Sequence, residues 1–313
     1  MATAQNGSTE IYYETHGPSS GPPLLLVNGL GSQLINWEPG FLELFVDQGM
    51  HVITFDNRDV GLSCKTVAPP PDLRAIVNRF KHPKGDGQRP ELCDRATGLD
   101  PSIPPYTLHD MAADAFAVLD SLEIAQAHIA GMSMGGAIVQ RMAINHPERV
   151  RSMVSIMSAT GSAAGRDSSP AALASLTAPV PSELDAYVDH VVETRRATAG
   201  QYPADDYWRA HARTIFHRMF HPSGESFQMA ALMADGDRTE ALSRLETPTV
   251  VIHGTVDPLI TPAGGEATAA TIPGAKLVLV EGMGHDMPPE LWPQITEPML
   301  KMFLSPEGPQ PHD

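Results

Sequence analysis

The chain has 313 residues, of which 42% are hydrophobic and 19% charged, so it can bury a large core and is not globally disordered. Acidic residues outnumber Lys and Arg by 37 to 21, which gives a formal net charge of −16. This charge disfavours non-specific binding to nucleic acid or to an anionic membrane, and no apolar run approaches the roughly 20 residues of a membrane span. We therefore expect neither nucleic acid nor a membrane as a partner.

Targeting and disulfide signals are both weak in this sequence. The first residues carry no basic segment followed by an apolar one, so no signal peptide is expected. Cys64 and Cys93 do not make a disulfide scaffold, and a reducing compartment would keep them as thiols, so whether they pair stays open. We expect a cytoplasmic protein, and its oligomeric state is not encoded in any pattern of the sequence.

Short, nearly continuous apolar runs alternate with helical patterns along the chain. Such runs are typical of strands buried on both faces, as in a mostly parallel sheet covered by helices. The predicted strands are, in chain order, Pro23–Asn28, His51–Asp56, Ala127–Gly131, Val150–Ser158, Thr249–Gly254 and Ala275–Gly282.

Apolar residues at spacings of three and four predict helices between these strands. Thr107 followed by Asp110 is typical of a capped start, and His146-Pro147 is typical of a stop. The fold class is therefore α/β, with a mostly parallel sheet flanked by helices. The predicted helices are Thr107–Leu122, Ser133–Asn145, Pro258–Ile272 and Pro288–Phe303.

Two long segments interrupt this alternation. Residues 63–106 are rich in Pro, Gly, Lys and Arg, and a loop of that length in a compact domain is usually functional or partly ordered. Residues 159–245 begin with Pro, Ser and Ala and show helical patterns from about Ser182 onward. We expect residues 1–158 and 246–313 to form one core domain, and residues 159–245 to form a helical cap inserted over the sheet edge.

The sharpest motif is Gly131-Met132-Ser133-Met134-Gly135, which follows a predicted strand and opens a predicted helix. A G-x-S-x-G sequence in that context indicates a strained turn that exposes a reactive serine. The turn crowds the neighbouring backbone, which explains the glycines two residues either side of Ser133. The helix N-terminus also places positive partial charge beside a developing oxyanion. Ser133 is therefore the candidate nucleophile.

A serine nucleophile needs a base, and the base needs an acid that orients it. Asp257 follows the strand Thr249–Gly254, so it lies at the carboxyl end of a strand, where open α/β sheets place their sites. His285 follows the next strand. The order Ser, Asp, His accompanies this type of serine turn. We therefore expect Ser133, Asp257 and His285 to form a catalytic triad.

The oxyanion of an acyl-transfer reaction needs two backbone N–H donors. Met134 directly follows the candidate nucleophile and Leu30 lies in the Gly-rich loop after the first strand, so these residues are the predicted donors. Trp37, Met132 and Met287 are predicted pocket residues, because methionine adapts to varied apolar shapes and Trp37 lies in the first connection after a strand. Packing in the core is the open alternative for all three. His217 and His221 are four residues apart, as on one face of a helix, but no third metal ligand accompanies them. We therefore expect neither a metal ion nor a cofactor.

These motifs together resemble the α/β-hydrolase superfamily over nearly the whole chain. The run DNRDVGLS at residues 56–63 is similar to the superfamily's D-x-R-G-x-G-x-S run, with Asp59 in place of a glycine, and Asn28 stands where many members have His. The segments NGLGSQLINW and GMSMGG are similar to bacterial carboxylesterases, the aclacinomycin methylesterase branch and cofactor-free haloperoxidases. The resemblance implies hydrolysis of a small-molecule ester through an acyl-enzyme, carried by Ser133, Asp257 and His285.

Three functions stay open on this sequence. The first is hydrolysis of short-to-medium acyl esters. The second keeps the triad and acts as a methylesterase of an aromatic polyketide or as a perhydrolase, because the acyl pocket and not the serine turn separates these reactions. The third is ligand binding or scaffolding on the same fold. Dehalogenases and epoxide hydrolases are disfavoured, because they carry Asp where this chain has Ser133.

Overall fold

The six predicted strands and two further strands at the N-terminus form one eight-stranded sheet in the computed structural model, which describes residues 2–69, 71–76 and 102–305. Most of the 63–106 excursion, including Cys93, lies outside the described residues, so its role and the pairing of Cys93 stay open. The strands are β1 (Ala2–Asn6), β2 (Thr9–His16), β3 (Pro23–Val27), β4 (His51–Phe55), β5 (Ala127–Met132), β6 (Val150–Ile156), β7 (Thr249–Gly254) and β8 (Lys276–Val280).

The strand order is β1-β2-β4-β3-β5-β6-β7-β8. Neighbouring strands from β4 to β8 pair in parallel, whereas β1 with β2 and β2 with β4 pair antiparallel. The N-terminal hairpin is absent from the sequence-based prediction because its strands are rich in polar residues and only their central positions are buried. The mostly parallel sheet predicted from the apolar runs is confirmed.

Helices connect the parallel strands and pack on both faces of the sheet. None of the helices in the described ranges is long and apolar enough to cross a membrane. The helices are α1 (Pro39–Val46), α2 (Leu108–Ser121), α3 (Met134–Asn145), α4 (Pro170–Thr177), α5 (Leu184–Thr198), α6 (Asp205–Arg218), α7 (Ser223–Asp235), α8 (Thr239–Leu242), α9 (Pro262–Thr271) and α10 (Trp292–Phe303).

Each central strand divides its side chains between two hydrophobic clusters, one on each face of the sheet. In β3, Leu25 and Val27 belong to the cluster with α2 and α3, whereas Leu24 and Leu26 belong to the cluster with α1 and α10. All four side chains are fully buried. Burial on both faces is the reason that the run is continuously apolar.

The last strand departs from this pattern. β8 lies at the edge of the sheet, and Leu277 and Leu279 are 37% and 44% exposed. The prediction of a strand buried on both faces is therefore wrong for Ala275–Gly282. The exposed leucines are two residues apart, so their side chains point to the same face of the sheet. At this edge of the sheet that face is partly open to solvent.

Local capping sets where the helices begin. The predicted Thr107 start is confirmed as a capping box, in which the Thr107 N–H donates to Asp110 Oδ2 at 2.7 Å and the Asp110 N–H donates to Thr107 Oγ1 at 3.4 Å. Helices between β6 and β7 begin earlier than the predicted Ser182, at Pro170. Ser169 caps α4 by accepting the N–H of Ala172, and proline suits the first helical position.

The helices predicted from Pro258 and Pro288 begin later, at Pro262 and Trp292. A turn follows Asp257, whose carboxylate binds two backbone N–H groups, and this turn occupies the residues before α9. A short 3₁₀ turn at Pro289–Leu291 precedes α10.

Residues 159–245, which we call the inserted segment, leave the sheet after β6 and return to it at β7. Buried ion pairs attach the segment to the rest of the chain. Arg218 Nη2 lies 2.8 Å from Asp56 Oδ2, and Arg141 Nε lies 2.7 Å from Asp235 Oδ1. Removing one partner of such a pair leaves an uncompensated charge and typically costs about 3–5 kcal/mol.

His128 provides a test of this packing. Its Nδ1 lies 2.7 Å from Ser152 Oγ, and burial together with Arg151 lowers its pKa to about 4. In the unfolded chain His128 takes up a proton near pH 6.5, whereas in the folded chain it does so only near pH 4. The protonation of the unfolded chain therefore lowers the free energy of unfolding as the pH falls from about 6.5 toward 4, and has no effect above that range. We expect the free energy of unfolding of the native chain to fall between pH 6 and 5 more steeply than that of His128→Gln, by up to about 1.4 kcal/mol per pH unit. Urea unfolding at each pH measures both slopes, and equal slopes would contradict the assignment.

Candidate active site

Ser133 lies in a strained turn between the end of β5 and the start of α3. Its backbone has φ 52° and ψ −119°, a conformation that is uncommon for a residue with a side chain. The Ser133 N–H donates to Ile156 O at 2.9 Å, and its carbonyl accepts the N–H of Gly136 at 2.9 Å. The turn predicted from the G-x-S-x-G motif therefore forms, and it places the side chain at the carboxyl end of the sheet.

The two glycines of the motif are required because neighbouring backbone atoms lie where a side chain would begin. A Cβ added to Gly131 would lie 2.2 Å from the carbonyl oxygen of Gly135, and a Cβ added to Gly135 would lie 2.2 Å from that of Val27. Gly136 faces Ser158, whose Cβ would be 2.4 Å from an added Cβ. The turn can therefore pack against β3 and against Ser158, just after β6, only where these positions have no side chain.

The structure brings the three predicted triad residues together. His285 Nε2 lies 2.9 Å from Ser133 Oγ, and His285 Nδ1 lies 2.8 Å from Asp257 Oδ2. Since an ionised carboxylate only accepts hydrogen bonds, Nδ1 carries the proton and Nε2 is left to accept from the Ser133 hydroxyl. Residues separated by up to 152 positions thus form one hydrogen-bonded line.

Asp257 is held rigidly at the end of β7. Its side chain is buried, and Oδ1 accepts the N–H groups of Leu259 and Ile260 at 2.9 and 3.0 Å. These bonds leave Oδ2 directed at His285. The carboxylate therefore cannot turn away from the imidazole without breaking two buried hydrogen bonds.

A second histidine, His253, is buried beside Asp257 and was not predicted as a site residue from the sequence. Its Nε2 is 2.8 Å from Ile260 O and 3.6 Å from Asp257 Oδ2. Burial lowers the pKa of His253, so the ring stays neutral and does not cancel the charge of Asp257. The only sequence signal was its place at the end of the strand TVVIHG.

The loop after β3 lies directly against the candidate nucleophile. A Cβ added to Gly29 would be 3.3 Å from Ser133 Cβ. Asn28 replaces the histidine of many superfamily members, and its Nδ2 donates to Gln33 O at 3.1 Å, which closes the loop. The N–H groups of Leu30 and Met134 have no acceptor within the described residues, so both are available to a ligand oxygen.

Gln228 of α7, which was not predicted, braces this loop from the inserted segment. Its Oε1 accepts the N–H of Gly31 at 2.8 Å, and its Nε2 donates to the carbonyl of Arg58 at 2.8 Å. The side chain is fully buried. It lies 197 residues from Gly31 in sequence, so no local pattern could have indicated the contact.

The DNRDVGLS run supports the same loop from the other side. Asp56 is fully buried and accepts the N–H groups of Leu34 and Leu62 at 2.7 and 2.8 Å. Asp59 keeps the positive φ (70°) expected of the superfamily glycine, and its carboxylate accepts from the Thr66 hydroxyl at 2.9 Å. Aspartate tolerates this region better than most residues, so the replacement is compatible with the turn.

A cavity of about 690 Å³ opens above Ser133 and His285. The predicted pocket residues Trp37, Met132 and Met287 all line it, as does Leu30. The Met134 side chain instead packs in the core, so only its backbone faces the site. Among the described residues, no group of three or more His, Cys, Asp or Glu is placed to hold a metal ion.

The inserted segment forms much of the cavity wall. Tyr187, Thr198, Tyr207 and His211 line the cavity from α5 and α6. The Thr198 carbonyl also accepts the backbone N–H of His285 at 2.8 Å. The segment therefore encloses the cavity and at the same time fixes the loop that carries the imidazole.

Comparison with known proteins gives one consistent result. The profile of a family described as the alpha/beta hydrolase fold matches residues 22–290. Rhodomycin D methylesterase of Streptomyces peucetius is 28% identical over 314 residues, which cover 90% of this chain and 91% of the relative. A non-heme chloroperoxidase of Streptomyces lividans is 24% identical over 95% of this chain and 96% of its own.

Solved structures agree on the fold. The enol-lactonase from Burkholderia xenovorans LB400 superposes with a TM-score of 0.68 at 21% identity, over 97% of this chain and 100% of that chain. The resemblance noted from the sequence motifs is therefore confirmed, including its methylesterase and haloperoxidase branches.

Gly135→Ala tests the steric requirement of the serine turn. We expect it to lower the free energy of unfolding by about 1–3 kcal/mol or more, because the new methyl overlaps the Val27 carbonyl. Gly274→Ala is the control: Gly274 has φ 71° but open space around it, so only the backbone strain, roughly 1 kcal/mol, should appear. Denaturant unfolding of both variants makes the comparison, and equal losses would show that contact with β3 does not constrain the turn.

Proposed function

This chain belongs to the alpha/beta hydrolase fold family, and from that premise we propose that it is a serine-dependent hydrolase of carboxylic esters. The observation that carries the proposal is the hydrogen-bonded line from Asp257 through His285 to Ser133 in its strained turn. A serine, an imidazole and a buried carboxylate in this order form a nucleophile with its base and orienting acid.

In the proposed reaction, Ser133 Oγ attacks the ester carbonyl while His285 Nε2 accepts its proton. Asp257 keeps the imidazole in the required tautomer and stabilises the imidazolium that forms. His285 then gives the proton to the departing alkoxide oxygen, which leaves an acyl group on Ser133. A water molecule then attacks the acyl carbon while His285 takes its proton. The bond between the acyl carbon and Ser133 Oγ breaks, His285 returns the proton to Oγ, and the carboxylic acid leaves.

The negative charge of the tetrahedral intermediate falls on the former carbonyl oxygen. We assign its two hydrogen bonds to the N–H groups of Leu30 and Met134, which the described residues leave without acceptors. Met134 is also the first residue of α3, so the positive end of the helix dipole adds to this stabilisation. In well-studied hydrolases one such donor contributes roughly 3–4 kcal/mol.

We further propose that the inserted segment acts as a cap over a core formed by residues 1–158 and 246–313. Its contribution to the cavity wall and its bond from Thr198 to His285 support this division. Substrate specificity would then be decided by the cap, whereas the reaction is decided by the core.

A second candidate reaction is cleavage of a methyl ester on a polycyclic aromatic compound. The cavity of about 690 Å³ has room for a ligand much larger than a short acyl chain. The name of the Streptomyces peucetius relative describes a methylesterase. Perhydrolysis would use the same residues and is distinguished only by its products.

Ser133→Ala tests the central proposal. We expect a loss of at least roughly 1,000-fold in kcat/KM, because the residual activity without a nucleophile comes only from binding and the oxyanion donors. Initial rates on p-nitrophenyl esters from acetate to palmitate measure this loss and define the acyl length that the cavity accepts. Methyl esters of polycyclic aromatic acids, and peracid formation from acetate and peroxide, test the other reactions.

Ser175→Ala is the matched control, because Ser175 also lines the cavity but donates to Ala172 O and not to an imidazole. It should keep activity and react with a fluorophosphonate probe, whereas Ser133→Ala should not react. Full ester hydrolysis by folded Ser133→Ala would refute the proposal. A folded native chain that neither reacts with the probe nor turns over any ester would favour a binding or scaffold role.

Gln228→Leu tests whether the inserted segment positions the oxyanion loop. We expect kcat to fall about tenfold or more with little change in KM, because the Gly31 N–H loses its partner and the adjacent Leu30 N–H becomes less fixed. Gln140→Leu is the control, since it also removes two buried hydrogen bonds, to Ser155 and Arg238, but none to this loop. Equal falls in kcat for both variants would indicate a general loss of structure instead.

A further inference from the structure

The carboxyl group of Glu225 lies in the wall of the cavity and takes no part in the reaction proposed above. Glu225 is in the first turn of α7, and its side chain covers Gly31. A Cβ added to Gly31 would be 2.5 Å from Glu225 Oε1 and 2.8 Å from its Cδ. The carboxyl group therefore occupies the space that a side chain at position 31 would fill, beside the predicted oxyanion loop.

Glu225 differs from two other carboxyl groups of the cavity, Asp286 and Glu38, in having no hydrogen-bond partner within the described residues. Asp286 Oδ1 accepts the N–H groups of Gly200 and Gly284 at 3.1 and 3.2 Å, and Glu38 is hydrogen-bonded to Tyr207. Within the described residues, Glu225 has neither a hydrogen bond nor an ion pair, and burial raises its pKa. The side chain is only partly buried and lines the cavity, so its carboxyl group can accept a hydrogen bond from a bound ligand.

Other polar atoms of the same wall are also left without partners. Trp37 Nε1, Asn36 Oδ1 and His211 Nε2 are buried, have no hydrogen bond within the described residues, and belong to residues that line the cavity. Burial and Arg195 lower the pKa of His211 to about 4, so this ring is neutral and does not offset a carboxylate. These atoms and Glu225 together make the cavity wall suited to a polar ligand.

Glu225 lies beside the proposed oxyanion loop. Its carboxyl group covers Gly31, and the N–H that we assign to the oxyanion belongs to the preceding residue, Leu30. A substrate whose carbonyl oxygen accepts from Leu30 would therefore lie beside the Glu225 carboxyl group, in the cavity that Ser133 and Glu225 both line.

We propose that Glu225 binds a hydrogen-bond-donating group of the substrate, an ammonium or a hydroxyl carried close to the scissile ester, so that the natural substrate is an amino or hydroxy ester and not a plain alkanoate. This inference rests on the proposed ester hydrolysis and adds a substrate class to it.

Three methyl esters of nearly equal shape test the proposal: 3-methylbutyrate, 3-hydroxybutyrate and 3-aminobutyrate. Rates are measured by titration of released acid at pH 7.5. We expect kcat/KM for a donor-bearing ester to exceed that for 3-methylbutyrate by about tenfold or more, the effect of a charge-assisted hydrogen bond. The amino ester identifies an ammonium and the hydroxy ester a neutral donor.

Glu225→Gln should reduce this preference to within a few-fold of unity for an ammonium substrate, and Glu225→Met should do so for either donor. Glu193→Gln is the matched control, because it removes one negative charge from an exposed site of the same inserted segment that does not line the cavity. An unchanged ratio in Glu225→Met, or an equal fall in Glu193→Gln, would overturn the proposal. Removal of an unpartnered carboxyl group should not unfold the chain, which thermal unfolding checks.

Binding to Ser133→Ala separates this inference from the proposed reaction. Calorimetry with the three esters measures affinity without turnover, so the ratio of dissociation constants should again favour the donor-bearing ester and should depend on Glu225. Ester hydrolysis without any preference in rate or affinity would leave the proposed function intact and refute the role of Glu225. Preferential binding without hydrolysis would do the reverse.

Discussion

The site depends on one steric constraint, the close approach of the serine turn to the neighbouring strands. The positive φ of Ser133 is tolerated because Gly131 and Gly135 let the turn pack onto the backbone of β3 and onto itself. The same approach brings the loop after β3 close to Ser133 and places the N-terminus of α3 directly after Ser133. Strain at a functional residue is therefore balanced by packing of the surrounding backbone.

The inserted segment does more than enclose a cavity, because three of its residues hold loops that surround the site. Thr198 O holds the backbone of His285, Gln228 holds the N–H of Gly31, and Arg218 pairs with buried Asp56. A movement of the segment would therefore change the position of the imidazole and of the oxyanion loop together. We infer that substrate binding under the segment and the geometry of the reaction are coupled through these bonds.

The carboxyl groups near the site divide into those with protein partners and those without. Asp257 has three hydrogen bonds, which hold a charged group rigidly where the proposed imidazolium forms. Glu225 lines the cavity and has no hydrogen bond within the described residues. We connect this free carboxyl group with recognition of the substrate.

Local patterns in the sequence determined the parallel strands, the capped start of α2, the serine turn, and the positions of Asp257 and His285 after adjacent strands. These features were predictable because burial on both faces, capping and turn sterics each act over a few residues. Only the tertiary structure revealed His253 beside Asp257, Gln228 on Gly31, and the unpartnered Glu225. The contacts of Gln228 and Glu225 with Gly31 depend on packing between segments far apart in the chain. The contacts of His253 depend on how the turn after β7 folds back on its own strand, and the edge position that exposes β8 depends on which strands pair. The sequence thus determined the chemistry of the candidate site. The shape and polarity of the cavity were decided by the packing of the inserted segment on the sheet, because contacts between distant segments leave no periodic signal in the sequence.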